Sequence, residues 1–502
     1  MQSTSLPATD SPAAGQSPPR TAPLWLLSGA LGFAAAAMLC DRTPGLSWPL
    51  LVVGATLALL LIERPAARLL LTRRYMAVGL ACVLSGAAAV TAAPGIQFLI
   101  FVGLLWLGAV ASCLAGGLPP RSLGAGRLAG APFVAPVLIA REASRVVGEG
   151  VSALGTEQCV PVLRGVALAA PIVAILVALL GAADPSFAAF RDGVVKLLTN
   201  LTGLGRVIFG VAFAIGCLGY LNLARRHAAQ PAEWREARPP RSHYTDIERL
   251  IVLGSIAALF AVFLLLQVSY LFGNPGARVG SGVTLAEAVH RGFTEMSLVV
   301  AFVAAVLALL DRQALRGVRE RWVHAVSAIV VIECLVLLAS AYQRLVSYEA
   351  AYGYTELRIG VRLYIGFLAV TVVLLAAELN RGIDTARLCW RVSVAAIATL
   401  TILGYWNYTG WIVDANVGRF VQSGRIDRDS LAQTSIDGLP ALVAALPRLD
   451  GESRAQVIKA LCGEPDSRCR GVAPEVEPSW FEWNLRRAAA RAALKELAHD
   501  VP

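Results

Sequence analysis

The residue most able to do chemistry in this chain is a carboxylate set in an apolar run. Glu333 lies near the middle of residues 324–343, a stretch otherwise suited to the interior of a bilayer. A carboxyl at that depth costs several kcal/mol if it is ionised and unpaired. It must therefore be protonated, paired, or facing a wet cavity. Its roles divide between an interhelical hydrogen bond and a proton or cation site of a transporter. Arg362 and Arg206 are the candidate partners.

Two polar segments between apolar runs add further candidates. In residues 271–296, Thr284 followed by Glu287 has capping-box spacing, which predicts a short helix. Its period brings Glu287, His290 or Arg291, and Glu295 towards one face. The segment is either a capped interfacial helix with solvated charges or a polar site at the mouth of a bundle. Residues 348–364 form the second segment, with Glu356, Arg358 and Arg362 in the first turns of the following apolar run. Charges at a membrane entrance are paired or snorkelling. This reads as an arginine–tyrosine anchor or as an ion-pair network that binds something. Asp184 is a further acid outside an apolar run.

Familiar catalytic signatures are missing. No phosphate-binding Gly-x-x-x-x-Gly-Lys, no His-Glu-x-x-His, no Gly-x-Ser-x-Gly and no kinase motif occurs. Five histidines leave little room for a histidine-based metal centre, so neither metal nor cofactor is expected. Cys462 and Cys469 enclose a Gly- and Pro-containing loop. In an oxidising compartment they would be expected to form a disulfide.

The elements that must position these groups are transmembrane helices. The chain has 502 residues, is 56% hydrophobic and 16% charged, and has a mean hydropathy of +0.63. Soluble domains are nearer a quarter charged. Runs of ~20 apolar residues match a ~30 Å hydrocarbon core, and backbone in lipid must be helical or in a closed barrel. The alternation of a barrel strand is absent. The expectation is an all-α polytopic bundle of about eleven spans: 23–40, 47–62, 75–93, 96–114, 165–183, 203–223, 249–272, 297–311, 324–343, 360–378 and 389–410. A disordered cytoplasmic tail, 1–22, precedes this transmembrane domain at 23–410. A small helical region, 411–502, follows it.

Every second loop is arginine-rich, notably 63–75, 115–164, 224–249, 312–321 and 379–391. The positive-inside rule puts these in the cytoplasm, with the N-terminus inside and the C-terminus outside. The tail from 412 holds 12 Lys and Arg against 13 Asp and Glu, leaving 32 against 21, and so the whole positive excess, to the rest of the chain. That excess follows from topology and does not call for nucleic acid. The expected partners are the lipid bilayer and an envelope protein. Residues 128–150 would form an amphipathic helix, lying on the membrane or packed on the bundle. Tyr405, Trp406, Tyr408 and Trp411 look like an interfacial aromatic belt.

Several pieces together resemble a family. They are Ala183-Asp184-Pro185-Ser186-Phe187-Ala188, Tyr270-Leu271-Phe272-Gly273, Thr284-Leu285-Ala286-Glu287 with Arg291-Gly292-Phe293, and Tyr348-Glu349-Ala350-Ala351-Tyr352-Gly353-Tyr354-Thr355-Glu356-Leu357-Arg358. In the tail they are Asp414-Ala415-Asn416-Val417, Gly424-Arg425-Ile426-Asp427, Leu431 and Asp437-Gly438-Leu439-Pro440-Ala441-Leu442. The chain is similar to bacterial domain-of-unknown-function family 4173 and its relative 4153. The resemblance covers about 180–445 and implies a multi-pass inner-membrane architecture, with no activity to transfer.

Asp184, Glu287, Arg291, Glu356, Arg358 and the tail all fall on the outer side of this topology. The leading reading is a sensory or scaffold component with an outward ligand- or partner-binding face. One alternative is a secondary transporter using Glu333. Another is a membrane enzyme on lipid-linked substrates, with Glu287, Glu356 or Asp184 as acid or base; the balance of the sequence is against catalysis.

Overall fold

The computed structural model describes residues 21–65, 72–116, 125–152, 173, 177, 203–228, 245–272, 299–307, 310, 318–379, 384–424, 431, 434–462 and 479–500. All regular structure among them is helical. The helices are α1 (Ala22–Leu39), α2 (Ser47–Glu63), α3 (Arg73–Ala88), α4 (Pro94–Ala115), α5 (Ala125–Ser152), α6 (Leu204–Ala228) and α7 (Asp246–Phe272). They continue as α8 (Val318–Tyr352), α9 (Glu356–Leu379), α10 (Thr385–Tyr405), α11 (Tyr408–Ser423), α12 (Leu439–Ala445), α13 (Gly451–Cys462) and α14 (Leu485–Asp500). Seven of these (α1, α4, α6, α7, α8, α9 and α10) contain a segment long and apolar enough to cross a membrane. The protein is therefore a multi-pass membrane protein. The expected spans 47–62 and 75–93 are helices of 17 and 16 residues, α2 and α3. Residues 173 and 177 apart, the expected span 165–183 lies outside the described residues, as does most of the loop after α7.

Hydroxyls inside the spans turn back on their own helices. Ser112 donates to Gly108 O at 2.7 Å, Thr371 to Phe367 O at 2.9 Å and Thr401 to Ile397 O at 2.7 Å. This satisfies each hydroxyl where no water is available.

The chain divides into two compact units. One comprises residues 1–37, 57–64 and 137–226. Within it α1 meets α6 where Gly32 faces Gly210 and Ala214, close enough that a Cβ on Gly32 would lie 2.4 Å from Gly210 O. Small residues allow such approach without apolar driving force. Glu142 of α5 is buried and gathers Arg145 at 2.5 Å, Arg226 at 3.5 Å and the Asn222 amide at 3.0 Å. The helix expected over 128–150 is therefore fastened into protein by its own acid and does not rest solely on lipid.

The second unit comprises residues 38–56, 65–136 and 227–502. Within it α3 packs on α4, both pack on α10, α10 packs on α9, α9 on α8 and α8 on α7. An apolar core runs through α7, α8 and α9, including Leu253, Val330, Cys334, Leu337, Leu368 and Leu375. One end of this series is basic. There Glu378, 1% exposed, receives Arg387 and Arg391 (Nη1 at 2.6 Å), and Arg73 lies over Trp390. Asp384 starts α10 by accepting from the amides of Ala386 and Arg387.

The opposite end carries a helical cap. The expected run to residue 410 breaks at Trp406, because Asn407 accepts the Gly410 amide and starts a new helix, α11. The cap has its own core of Val413, Val417, Leu442, Leu446, Val457, Leu461, Leu494 and Leu497. Tyr408 is correspondingly only 6% exposed, so it belongs to the protein interior and not to an aromatic belt. Tyr405 and Trp406, at 43% and 40%, remain on the surface.

Candidate functional site

The cap is joined to three separate interhelical connections. At the first, Glu482 accepts from Thr43 N at 3.1 Å and pairs with Arg42 at 3.2 Å, while Leu46 N donates to Trp483 O. A Cβ on Gly45 would lie 2.6 Å from the Glu482 and Trp483 carbonyls, so this approach requires glycine. Ser479 and Glu482 complete a capping box on the cap side. Burial works against the Glu482 carboxylate, but the amides of Thr43 and Ser479 and the Arg42 charge outweigh it and hold the carboxyl below its ordinary range.

At the second connection, between α3 and α4, Asp437 is 3% exposed and accepts from Thr91 Oγ1 at 2.6 Å and Ala92 N at 2.8 Å. Asn484 donates to Ala88 O and Thr91 O, both at 2.9 Å. Of the first amides of α14, Leu485 N donates across the seam to Ala89 O, and Arg486 N is shared between Val90 O across the seam and Asn484 Oδ1, which also accepts Arg487 N. Helix starts leave such donors unpaired, so the connection and Asn484 together serve as their cap.

The third connection is the turn between α8 and α9, where the sequence placed Glu356, Arg358 and Arg362. Gly353 has φ +80°, and a Cβ there would lie 2.7 Å from Arg419 Nη1 and 2.8 Å from Asn416 Oδ1. Asn416 of α11 mimics a strand partner: its Oδ1 accepts Tyr354 N and its Nδ2 donates to Tyr354 O, each at 2.8 Å. Arg419 donates to Ala351 O at 2.5 Å. Tyr354 meets Trp411 edge-on at 5.0 Å.

Arg358 and Arg362 both turn inward. Arg358 lies 4.4 Å over Tyr348 and donates to the Tyr352 and Gly353 carbonyls. Arg362 pairs with Glu349, 1% exposed, and lies beside the rings of Tyr342 and Tyr354. Glu349 Oε1 and Arg362 Nε remain buried without a hydrogen-bond partner. Glu356 is exposed. Its charge, with that of Asp437, adds to burial in pushing the Tyr408 phenol up.

The sequence-predicted residues thus separate. Glu356, Arg358 and Arg362 share one turn. Glu333 stands apart on α8, 9% exposed, with Oε2 buried and lacking a hydrogen-bond partner. Arg362, proposed as its partner, belongs to Glu349. Asp184, Glu287, His290, Arg291 and Cys469 lie outside the described residues, as does the Cys462 side chain. Among the described residues no group of acids, histidines and cysteines could hold a metal. Sequence reasoning passed over Glu349, Asp437, Glu482 and Asn484. Of these, Glu349 and Asp437 had a signal, because each lies in a motif that carries the family resemblance, as Asn416 does.

Residues 78–445 match the sequence model of the family described as Domain of unknown function (DUF4153). This is the relative named above, and the match begins well before residue 180, at α3. No curated protein and no solved structure matches the chain. With most of its membrane helices, the α8–α9 turn, Asn416 and Asp437 inside the matched region, the chain belongs to the DUF4153 family.

Proposed function

We propose that this protein is a sensory or scaffold component of the bacterial inner membrane, with its cap on the extracytoplasmic side as the face that takes a ligand or envelope partner. The observation that carries this reading is the attachment of one cap to three connections between membrane helices. A partner that pulls on the cap acts on α3, α4, α8 and α9 together, which is the coupling a sensor or scaffold needs. About eleven crossings, with arginine-rich loops inside, give the same side to all three connections. The basic cluster at Glu378 then faces the cytoplasm.

The test has two arms. A reporter fused at Pro502 should be active only outside the cytoplasm. In a strain deleted for the gene, Arg358→Ala should fail to restore the wild-type phenotype although the protein reaches the membrane. A reporter active in the cytosol, or full rescue by Arg358→Ala, refutes the reading.

A second reading, a secondary transporter using Glu333, is favoured by the unpartnered Oε2 of that carboxyl in the span. In sealed vesicles Glu333→Gln should then abolish proton-coupled flux and leave the protein folded. A third reading is a membrane enzyme on lipid-linked substrates; of its candidate acids Glu356 is exposed, and Asp184 and Glu287 lie outside the described residues.

A further inference from the structure

The stretch that locks the cap to the α1–α2 and α3–α4 connections leaves its largest side chains uncovered. Trp480, Trp483 and Leu485 are 69%, 45% and 42% exposed. Their backbone is nevertheless pinned: Trp483 O accepts Leu46 N at 3.1 Å, Glu482 accepts Thr43 N at 3.1 Å, and Leu485 N donates to Ala89 O at 2.8 Å. The apolar patch is therefore held in place on an ordered frame.

The same bonds fix its depth. Leu46 immediately precedes α2, and Ala89 lies five residues before Pro94, the first residue of the membrane-crossing helix α4. Rings at this level stand where the hydrocarbon gives way to headgroups. Indoles favour that zone, since the ring body is apolar and the N–H needs a polar partner. Arginines adjoin this stretch. Arg42 lies 5.7 Å from the Phe481 ring, and Arg486 and Arg487 follow in the chain.

We infer that residues 480–485 are a membrane anchor of the cap. Trp480 and Trp483 insert at the glycerol and carbonyl level of the adjoining leaflet, and the neighbouring arginines meet lipid phosphates. The cap is thereby held at two kinds of contact, protein connections on one side and lipid on the other. This inference is independent of the sensory reading and needs only that α4 crosses the bilayer.

The experiment uses the full chain in vesicles of phosphatidylcholine and phosphatidylglycerol. The photoreactive changes Trp480→p-benzoylphenylalanine and Trp483→p-benzoylphenylalanine are compared with the same change at Gln456, an exposed position on α13. Phospholipid adducts, read by mass spectrometry, should be several-fold more abundant at 480 and 483 than at 456. In parallel, the conservative pair Trp480→Phe and Trp483→Phe should lower total quenching of tryptophan fluorescence by lipids brominated high on the acyl chain. Adducts no more frequent than at 456, crosslinks to a second copy of the chain instead of lipid, or quenching unchanged by the Phe pair overturns the proposal.

Discussion

Replacing Asp437 by alanine should loosen the cap without unfolding the membrane helices. The carboxylate is 3% exposed and accepts two hydrogen bonds from the α3–α4 connection, at 2.6 and 2.8 Å. Alanine leaves the Thr91 hydroxyl and Ala92 N–H without their acceptor in a dry seam. Each lost bond to a charged acceptor is worth about 1.5–3 kcal/mol, so the pair is worth roughly 3–5 kcal/mol after partial relaxation. At about 1.4 kcal/mol per factor of ten, that is roughly two to three and a half orders of magnitude in the opening equilibrium of the seam. The amide of Leu485 reports it directly, because it donates across the seam to Ala89 O. Hydrogen exchange of a peptide covering 479–490 should accelerate by that factor in Asp437→Ala. Peptides from α8 and α9 should keep their protection. Asp437→Asn keeps one acceptor and lets the Thr91 hydroxyl reverse, so its effect should stay near 1 kcal/mol. Unchanged exchange in Asp437→Ala would refute the claim that this contact holds the cap.

The other predictions concern the remaining contacts. Because Glu482 is held below its ordinary pKa in the folded protein, its contribution is complete above the unfolded value and is lost as pH falls through the folded one. Cap protection near residues 40–46 should therefore decline on acidification below the usual carboxylate range, and Glu482→Gln should flatten that decline. Gly353→Ala forces a side chain to φ +80° and into Arg419 and Asn416. It should destabilise the α8–α9 turn by about 1–2 kcal/mol or more, read as faster exchange of the Tyr354 amide. At the basic end, Glu378→Ala removes the shared acceptor of Arg387 and Arg391. Both arginines are 32–40% exposed and can turn to water, so the cost should be about 1–3 kcal/mol in detergent unfolding, short of that for a fully buried pair. No change in the unfolding midpoint would show that water replaces the carboxylate completely.

Composition and periodicity alone decided that this chain is a helical membrane protein, where most of its spans run, and that a small helical region follows them. These are local matters: transfer of apolar residues to lipid and helical satisfaction of the backbone are settled within about twenty neighbouring residues. The entry of Glu356 into the first turn of α9 was legible for the same reason. The tertiary structure decided the partners. Glu482 binds residues 42–43, Asp437 binds 91–92 and Asn416 binds Tyr354, and sequence separations of 62 to 440 residues leave no local trace. Arg362 and Arg206 stand as candidate partners of Glu333 in the sequence, where only charge and approximate depth are visible; in the structure Glu349, on the same helix as Glu333 and nearer the turn, holds Arg362. The break at Asn407 was missed because apolar residues continue past it; a side-chain cap on Gly410 N ends one helix and starts the next without changing hydropathy. Hydrophobicity places helices in a membrane, but the hydrogen bonds that join their ends depend on how the chain returns in three dimensions.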